Sequence, residues 1–360
     1  MFLGANNYKK MNEQRRYKEL DALRGVAALF VVFFHFTMGR EEYNSFFKLG
    51  TTGVDLFFII SGFVIFMSLQ KISKGIDFVI NRISRLYPTY WTCVFFTFIM
   101  ISSFSIYTKT FIAKTDLITL SGNLSMFQFY FQIKDLEATY WTMIIEMIFY
   151  ISMYVLYKLD ALKYITTIGI ISCIVDILII YYFHDIYYIK EIIYWIPLLQ
   201  FLPLFFAGII FYKIRINKEN KFLNYGIIIF CLFCQFALFP DTGRSRRFIS
   251  RPEYIMMLSL YFVLFILFVN FKLSFIVNQM SLFFGRISFA LYLTHCHISL
   301  FFIIPLFYNR LGINFWIVLF FINLPIVTAI ATVITYKIEI PYSKKMKAVL
   351  HTIATFRYKH

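Results

Sequence analysis

Long apolar runs alternate with short polar breaks along this chain, and each run is close to the roughly 20 residues that an α-helix needs to cross a bilayer. Ten such runs are read, over about residues 20–38, 50–69, a third following the basic segment NRISRLYP and reaching about 104, then 140–157, 164–183, 194–212, 223–239, 254–271, 282–304 and 315–336. The expected fold is all-α: a polytopic membrane protein of about ten transmembrane helices around a central polar cavity. The connection from 106 to 139 holds a half-length apolar piece, 124–133, too short to cross alone and expected to be re-entrant or interfacial. No internal repeat or low-complexity segment interrupts the pattern. One membrane domain is therefore expected over 19–345, between a basic tail at 1–18 and a second tail at 346–360.

Composition agrees with that pattern. Of 360 residues, 60% are hydrophobic and 15% charged, more apolar surface than a soluble core could bury. The net charge of +16 would point to nucleic acid in a soluble protein, but positive charge accumulates in the cytoplasmic loops of membrane proteins, so no nucleic-acid partner is expected. An even number of spans puts both termini on one side, and most Lys and Arg fall there, so both are expected in the cytoplasm. Arg244, Arg246, Arg247 and Arg251 fit this rule poorly, because they fall in a predicted external loop. Either the count near that loop is off by one, or the loop meets something anionic. The N-terminus, with Lys9, Lys10, Arg15, Arg16 and Lys18, lacks an apolar stretch followed by a cleavage site, so the first helix is kept. Cys231 and Cys234 lack a second pair or nearby acidic ligands, so the cysteines are read as packing groups and no metal is expected.

The candidate chemistry starts in DALRGVAALFVVFFHF, Asp21 to Phe36. Arg24 and His35 are eleven residues apart; at about 100° and 1.5 Å per residue they share one helix face, separated by roughly 16 Å along the axis. Ionisable groups inside a transmembrane helix are costly in hydrocarbon, so two on one face imply a polar cavity along it. Arg82 and Arg85, at i and i+3 before Pro88, make a fork suited to phosphate or a plain positive-inside anchor. Glu146 must be neutral or paired among so many apolar neighbours, with Arg24 or a histidine as the available class of partner. Asp55 either serves the cavity or caps its helix, while Gly53, Ser61 and Gly62 let helices pack closely. Ser288, Tyr292 and His295 fall at i, i+4 and i+7, again on one face. His297 points elsewhere and is given no role; His184, His351 and His360 fall in loops or the tail.

These motifs, in order and spacing, resemble those of the membrane-bound acyltransferase family 3. LDALRGVAALFVVFFH resembles its first helix with Arg-x10-His, GVDLFFIISGFVI its second, and FVINRISRLYPTYW its paired-arginine segment. YWTMIIEMIFY is similar to its Trp-containing helix with a glutamate, GRISFALYLTHCHI to its late helix ending in Tyr-Leu-x-His, and IEIPYSKK to the Glu-x-Pro of its last helix. The likeness covers roughly residues 19–345; Tyr342 stands where a Phe is more usual, and no soluble hydrolase-like domain follows the membrane part.

The resemblance implies an acyl-CoA donor on the cytoplasmic side, usually acetyl-CoA, and a glycan or lipid-linked sugar hydroxyl as acceptor, in a bacterial cytoplasmic membrane. It puts functional roles on Arg24, His35, Arg82, Arg85 and Glu146. Asp55, Tyr140, Trp141, Ser288, Tyr292 and His295 stand beside these as further candidate substrate or cavity positions, apart from the resemblance. His35 is then the expected base, because a neutral imidazole can take a hydroxyl proton near pH 7, or a transient acetyl carrier. Glu146 would orient it as the third member of a triad. Arg24, Arg82 and Arg85 would hold the CoA phosphates. A transporter of a glycan precursor or small anion, without chemistry, is the competing expectation, and an assembly role in a glycan-export complex a third.

Overall fold

The computed structural model describes residues 17–108, 116–182, 186–216, 220–242 and 244–357; the expected N-terminal basic tail up to residue 16, His184 and His360 lie outside them. Helix dominates and no strand occurs among the described residues. The elements are α1 (Lys18–Thr37), α2 (Gly53–Leu69), α3 (Gly75–Thr108), α4 (Leu117–Leu124), α5 (Trp141–Lys158), α6 (Ile165–Tyr182), α7 (Tyr187–Trp195), α8 (Leu202–Ile216), α9 (Lys221–Thr242), α10 (Arg251–Val269), α11 (Gln279–His297), α12 (Leu324–Ile334) and α13 (Ile340–Arg357). Wide π-type turns extend α11 over Ile298–Ile303 and Pro305–Arg310, precede α12 over Val318–Asn323, and join it to α13 over Thr335–Glu339.

Among the described residues, nine helices are long and apolar enough to cross a membrane. Helix α5 stands where the fourth run is expected but is not one of the nine, because Glu146, Lys158 and three tyrosines reduce its apolar character. Two other segments differ from the runs read in the sequence. The third span begins at Gly75, before the paired arginines, and runs through Pro88 without ending. The piece 124–133 is not a continuous helix. Helix α4 stops at Leu124, and the backbone turns left-handed at Met126 (φ 66°) and Gln132 (φ 55°) on either side of the short turn Gln128–Phe131. Asn123 ties this loop down, donating to the carbonyls of Thr119 and Lys134 and accepting from the Leu136 amide. The C-terminal tail is helical as far as Arg357, continuing α13.

Helix packing turns on small residues that bring backbones together. A Cβ on Gly25 would meet the Ser281 carbonyl at 2.7 Å and the Gly285 amide at 2.8 Å, and one on Gly285 would meet the Asp21 carbonyl at 2.0 Å. Ten residues further along both helices, His35 and His295 are hydrogen-bonded. The offset of 260 residues is the same at both ends, so α1 and α11 run parallel and in register along this seam. Gly62 and Gly208 do the same for α2 against α8, where a Cβ would strike the Phe205 and Ile59 carbonyls. The core of α1 faces inward through Leu20, Leu23, Ala27, Ala28, Val31, Val32 and Phe36.

Gly285→Ala should force the seam apart and destabilise the protein by about 1–3 kcal/mol, the usual cost of overpacking. Gly226→Ala, in α9 with nothing near its Cβ position, should be neutral or stabilising. Thermal melting of the two variants in one detergent checks the contrast.

Candidate active site

Two chambers open side by side along the start of the α1–α11 seam. The deeper one has an empty volume of about 780 Å³ including its mouth, and Arg24, Arg82, Arg85 and Glu146 meet there, roofed by Phe57, Met143 and Tyr292. The second, at the rim near the first turn of α1, is lined by Tyr17, Asp21, Arg286, Thr335 and Glu339 and shares Arg24, Arg85 and Ser288 with the first. The arginines on α1 and α3 thus converge as the sequence pattern requires. Arg24 lies 3.6 Å from Asp21, Arg82 Nη2 donates to Ser68 Oγ at 3.4 Å, and Arg82 Nε is buried with no hydrogen-bond partner among the described residues. A buried guanidinium N–H left open in a chamber with two further arginines is a donor set for an anion, phosphate above all.

Glu146 belongs to this chamber, not to the imidazole. Its Oε1 accepts from Ser61 Oγ at 2.8 Å and its Oε2 from Tyr150 OH at 2.7 Å. The expected triad-like contact with His35 is therefore absent: α5 carries Glu146 to the depth of Arg24, about three turns from His35. Ser61, expected only as a packing residue, is the carboxylate's donor.

His35 pairs instead with His295. His295 Nε2 lies 3.0 Å from His35 Nδ1, whose other contact is the Val31 carbonyl at 2.9 Å. His295 Nδ1 faces the carbonyls of Leu291 at 2.9 Å and Tyr292 at 3.1 Å, which can only accept. In the neutral pair His295 carries its proton on Nδ1 and its Nε2 accepts, so His35 donates from Nδ1 and keeps a bare lone pair on Nε2. His295 is fully buried and His35 half-buried. His35 lines neither arginine chamber. Between them stands Tyr292, its OH 3.1 Å from Thr142 Oγ1 and its ring 5.7 Å from that of Phe57 and 6.2 Å from that of His295.

The remaining expected positions disperse. Ser288 lines both chambers while donating to the Gly285 carbonyl. Asp55 is 2% exposed, makes no cap and faces Tyr254, away from both chambers. Tyr140 is fully buried beside Tyr90, and Trp141 lines a separate groove with Lys134, Asp135, Tyr194 and Gln200. The turn Arg244–Arg247 continues into Phe248, whose ring stands 4.8 Å from Phe34, so this loop reaches the His35 end of α1.

Two groups escaped the sequence. Glu137 is 0% exposed, accepts the His297 backbone N–H at 3.1 Å and lies 2.7 Å from His297 Nδ1, near enough for an ion pair although the ring is not aligned as a donor. A carboxylate between Leu136 and Ala138, just ahead of an apolar helix, is the signal that marked Glu146 and applies equally here.

The chain matches the acyltransferase 3 family, described as an acyltransferase domain, over residues 17–336, and it belongs to that family. It is 25% identical over 295 residues to "Putative acetyltransferase ORF330" of Acidianus two-tailed virus, covering 80% of this chain and 85% of the viral protein. A shorter stretch of 83 residues is 41% identical to "Protein 2 in picA locus" of Rhizobium radiobacter, covering 21% of this chain and 40% of that protein. No solved structure matches the chain. It is a membrane-embedded acyltransferase.

His295→Ala removes the acceptor that fixes the His35 ring. Acyl transfer should fall about 10- to 100-fold in kcat with little change in the donor KM, a loss that steady-state kinetics on the purified variant reads directly.

Proposed function

We propose that this acyltransferase takes an acetyl group from acetyl-CoA on the cytoplasmic side and transfers it to a hydroxyl of a cell-surface or lipid-linked glycan, in a bacterial cytoplasmic membrane with both termini inside. The observation that carries this reading is the seam itself, with an arginine-lined chamber at one end and a tautomer-fixed imidazole roughly 16 Å further along the same face of α1. Arg24, Arg82 and Arg85 hold the CoA phosphates through charge-assisted bonds, and Glu146 keeps that chamber from carrying three unopposed positive charges. The pantetheine arm follows the seam past Phe57 and Met143 towards Tyr292.

The acceptor approaches His35 from the opposite end, beside the arginine-bearing turn Arg244–Arg247, which favours an anionic glycan. The hydroxyl proton passes to His35 Nε2 as the hydroxyl oxygen attacks the thioester carbonyl carbon. His295 accepts from Nδ1 and stabilises the imidazolium, in the place expected for Glu146. When the C–S bond breaks, the imidazolium returns its proton to the departing thiolate of CoA. For the thioester to reach His35 the Tyr292–Thr142 bond must open, and the freed hydroxyls are then the nearest donors to the oxyanion.

Release of CoA from acetyl-CoA by the purified protein supplied with acceptor tests the reaction and separates it from transport. His35→Ala should reduce turnover at least about 1,000-fold with CoA affinity intact. Arg85→Ala should raise the CoA Kd about tenfold or more, as loss of one charge-assisted bond requires. Unchanged donor affinity in Arg85→Ala would remove the phosphate role, and unchanged turnover in His35→Ala would remove the base.

A further inference from the structure

Two motifs remain without a task in the reaction just described: the arginine of GRISF, Arg286, and the glutamate of the Glu-x-Pro segment, Glu339. They meet in the rim chamber. Helix α11 brings Arg286 there one residue after the Gly285 contact with α1, and the wide turn Thr335–Glu339 brings Thr335 and Glu339 from the opposite wall. Such widened turns are frequent at functional sites, because they re-aim side chains that a regular helix would spread over other faces.

Glu339 is held in that wall with its Oε2 buried, the hydroxyls of Thr89 and Thr335 beside it as donors and Arg24 and Arg85 within electrostatic reach. A carboxylate has about four acceptor sites, so two hydroxyls leave room for a ligand donor. Arg286 uses Nη1 to reach Tyr336 OH at 2.9 Å and is exposed at the chamber mouth, with further N–H donors to offer. Tyr17 and Phe289 add ring surface to the same walls, and Asp21 is turned to Arg24.

We propose that the rim chamber is the subsite for the adenosine 3′-phosphate half of the donor, with Glu339 accepting from the nucleoside and Arg286 binding the 3′-phosphate. This rests on the acyl-CoA reading above. It follows from the order of the chambers: Arg24 and Arg85 border both, so a diphosphate held there leaves the pantetheine in the deeper chamber and the nucleoside in the rim. The single phosphate that distinguishes CoA from dephospho-CoA then meets a cation that neither the diphosphate nor the thioester needs.

Equilibrium binding of CoA, dephospho-CoA and 4′-phosphopantetheine to the full-length purified protein tests it. The unmodified protein should bind CoA about tenfold more tightly than dephospho-CoA, one charge-assisted contact's worth. Arg286→Gln should erase that difference by weakening CoA alone. Glu339→Ala should weaken CoA and dephospho-CoA together by about five- to tenfold, leave 4′-phosphopantetheine unchanged, and be partly rescued by Glu339→Gln, which restores an acceptor oxygen. Equal affinities for CoA and dephospho-CoA in the unmodified protein would overturn the subsite while sparing the donor assignment. Loss of 4′-phosphopantetheine binding in Glu339→Ala would also overturn it, by showing a general collapse of the chambers. No binding of any of the three to the unmodified protein would bring down the acyl-CoA reading itself.

Discussion

Everything chemical in this protein depends on how closely α1 and α11 approach. Gly25 and Gly285 let the two backbones touch where any side chain would collide with a carbonyl or an amide, and parallel register then carries the contact three turns along to His35 and His295. Hydrocarbon gives helices no hydrophobic reason to associate, so small residues and interhelical hydrogen bonds must supply specificity. Here one end of the seam uses the first and the other end the second. A slip of one residue would turn both histidines onto different faces and break the only side-chain hydrogen bond that links the two helices among the described residues.

Charge is distributed accordingly. The cationic groups gather at the chamber end, where Asp21 and Glu146 partly oppose them, while the other end of the seam carries two rings that can share a proton without carrying a fixed charge. A buried ion that loses its partner is far more costly than a neutral imidazole, so fixed charge stays near an opening and titratable nitrogen goes deep. Buried carboxyl groups away from the chambers, Asp55, Glu137 and Asp176, are exceptions, and Glu137 meets the cost by taking the His297 backbone N–H at the point where α11 widens.

How much of this was legible beforehand varies with the kind of interaction. Helix faces could be read, since spacing on one helix is fixed by 3.6 residues per turn: Arg82 with Arg85 and Ser288 with Tyr292 line one chamber, while His35 and His295 lie along the seam beyond it. Partnerships between helices could not. Whether His35 meets Glu146 or His295 depends on which helices adjoin and at what depth, and α5 lies about three turns lower than a triad would need. The pairing of Glu137 with His297 could not be read for a related reason. One sits in a loop whose fold is set by Asn123, and the other looked idle on its own helix because its partner arrives from outside it. The extent of α3 is not legible from its proline, because Pro88 lies inside a continuous helix and does not mark its start.

The Tyr292–Thr142 contact also separates two kinds of group within the bundle. Ionised groups at one depth and proton-carrying rings at another would form a wire for hydrogen ions if a file of water joined them. The Tyr292 phenol and the Thr142 hydroxyl meet each other beside the ring of Phe57, between the arginine chamber and His295. The closed contact thus sets the imidazole pair apart from the cationic end of the seam.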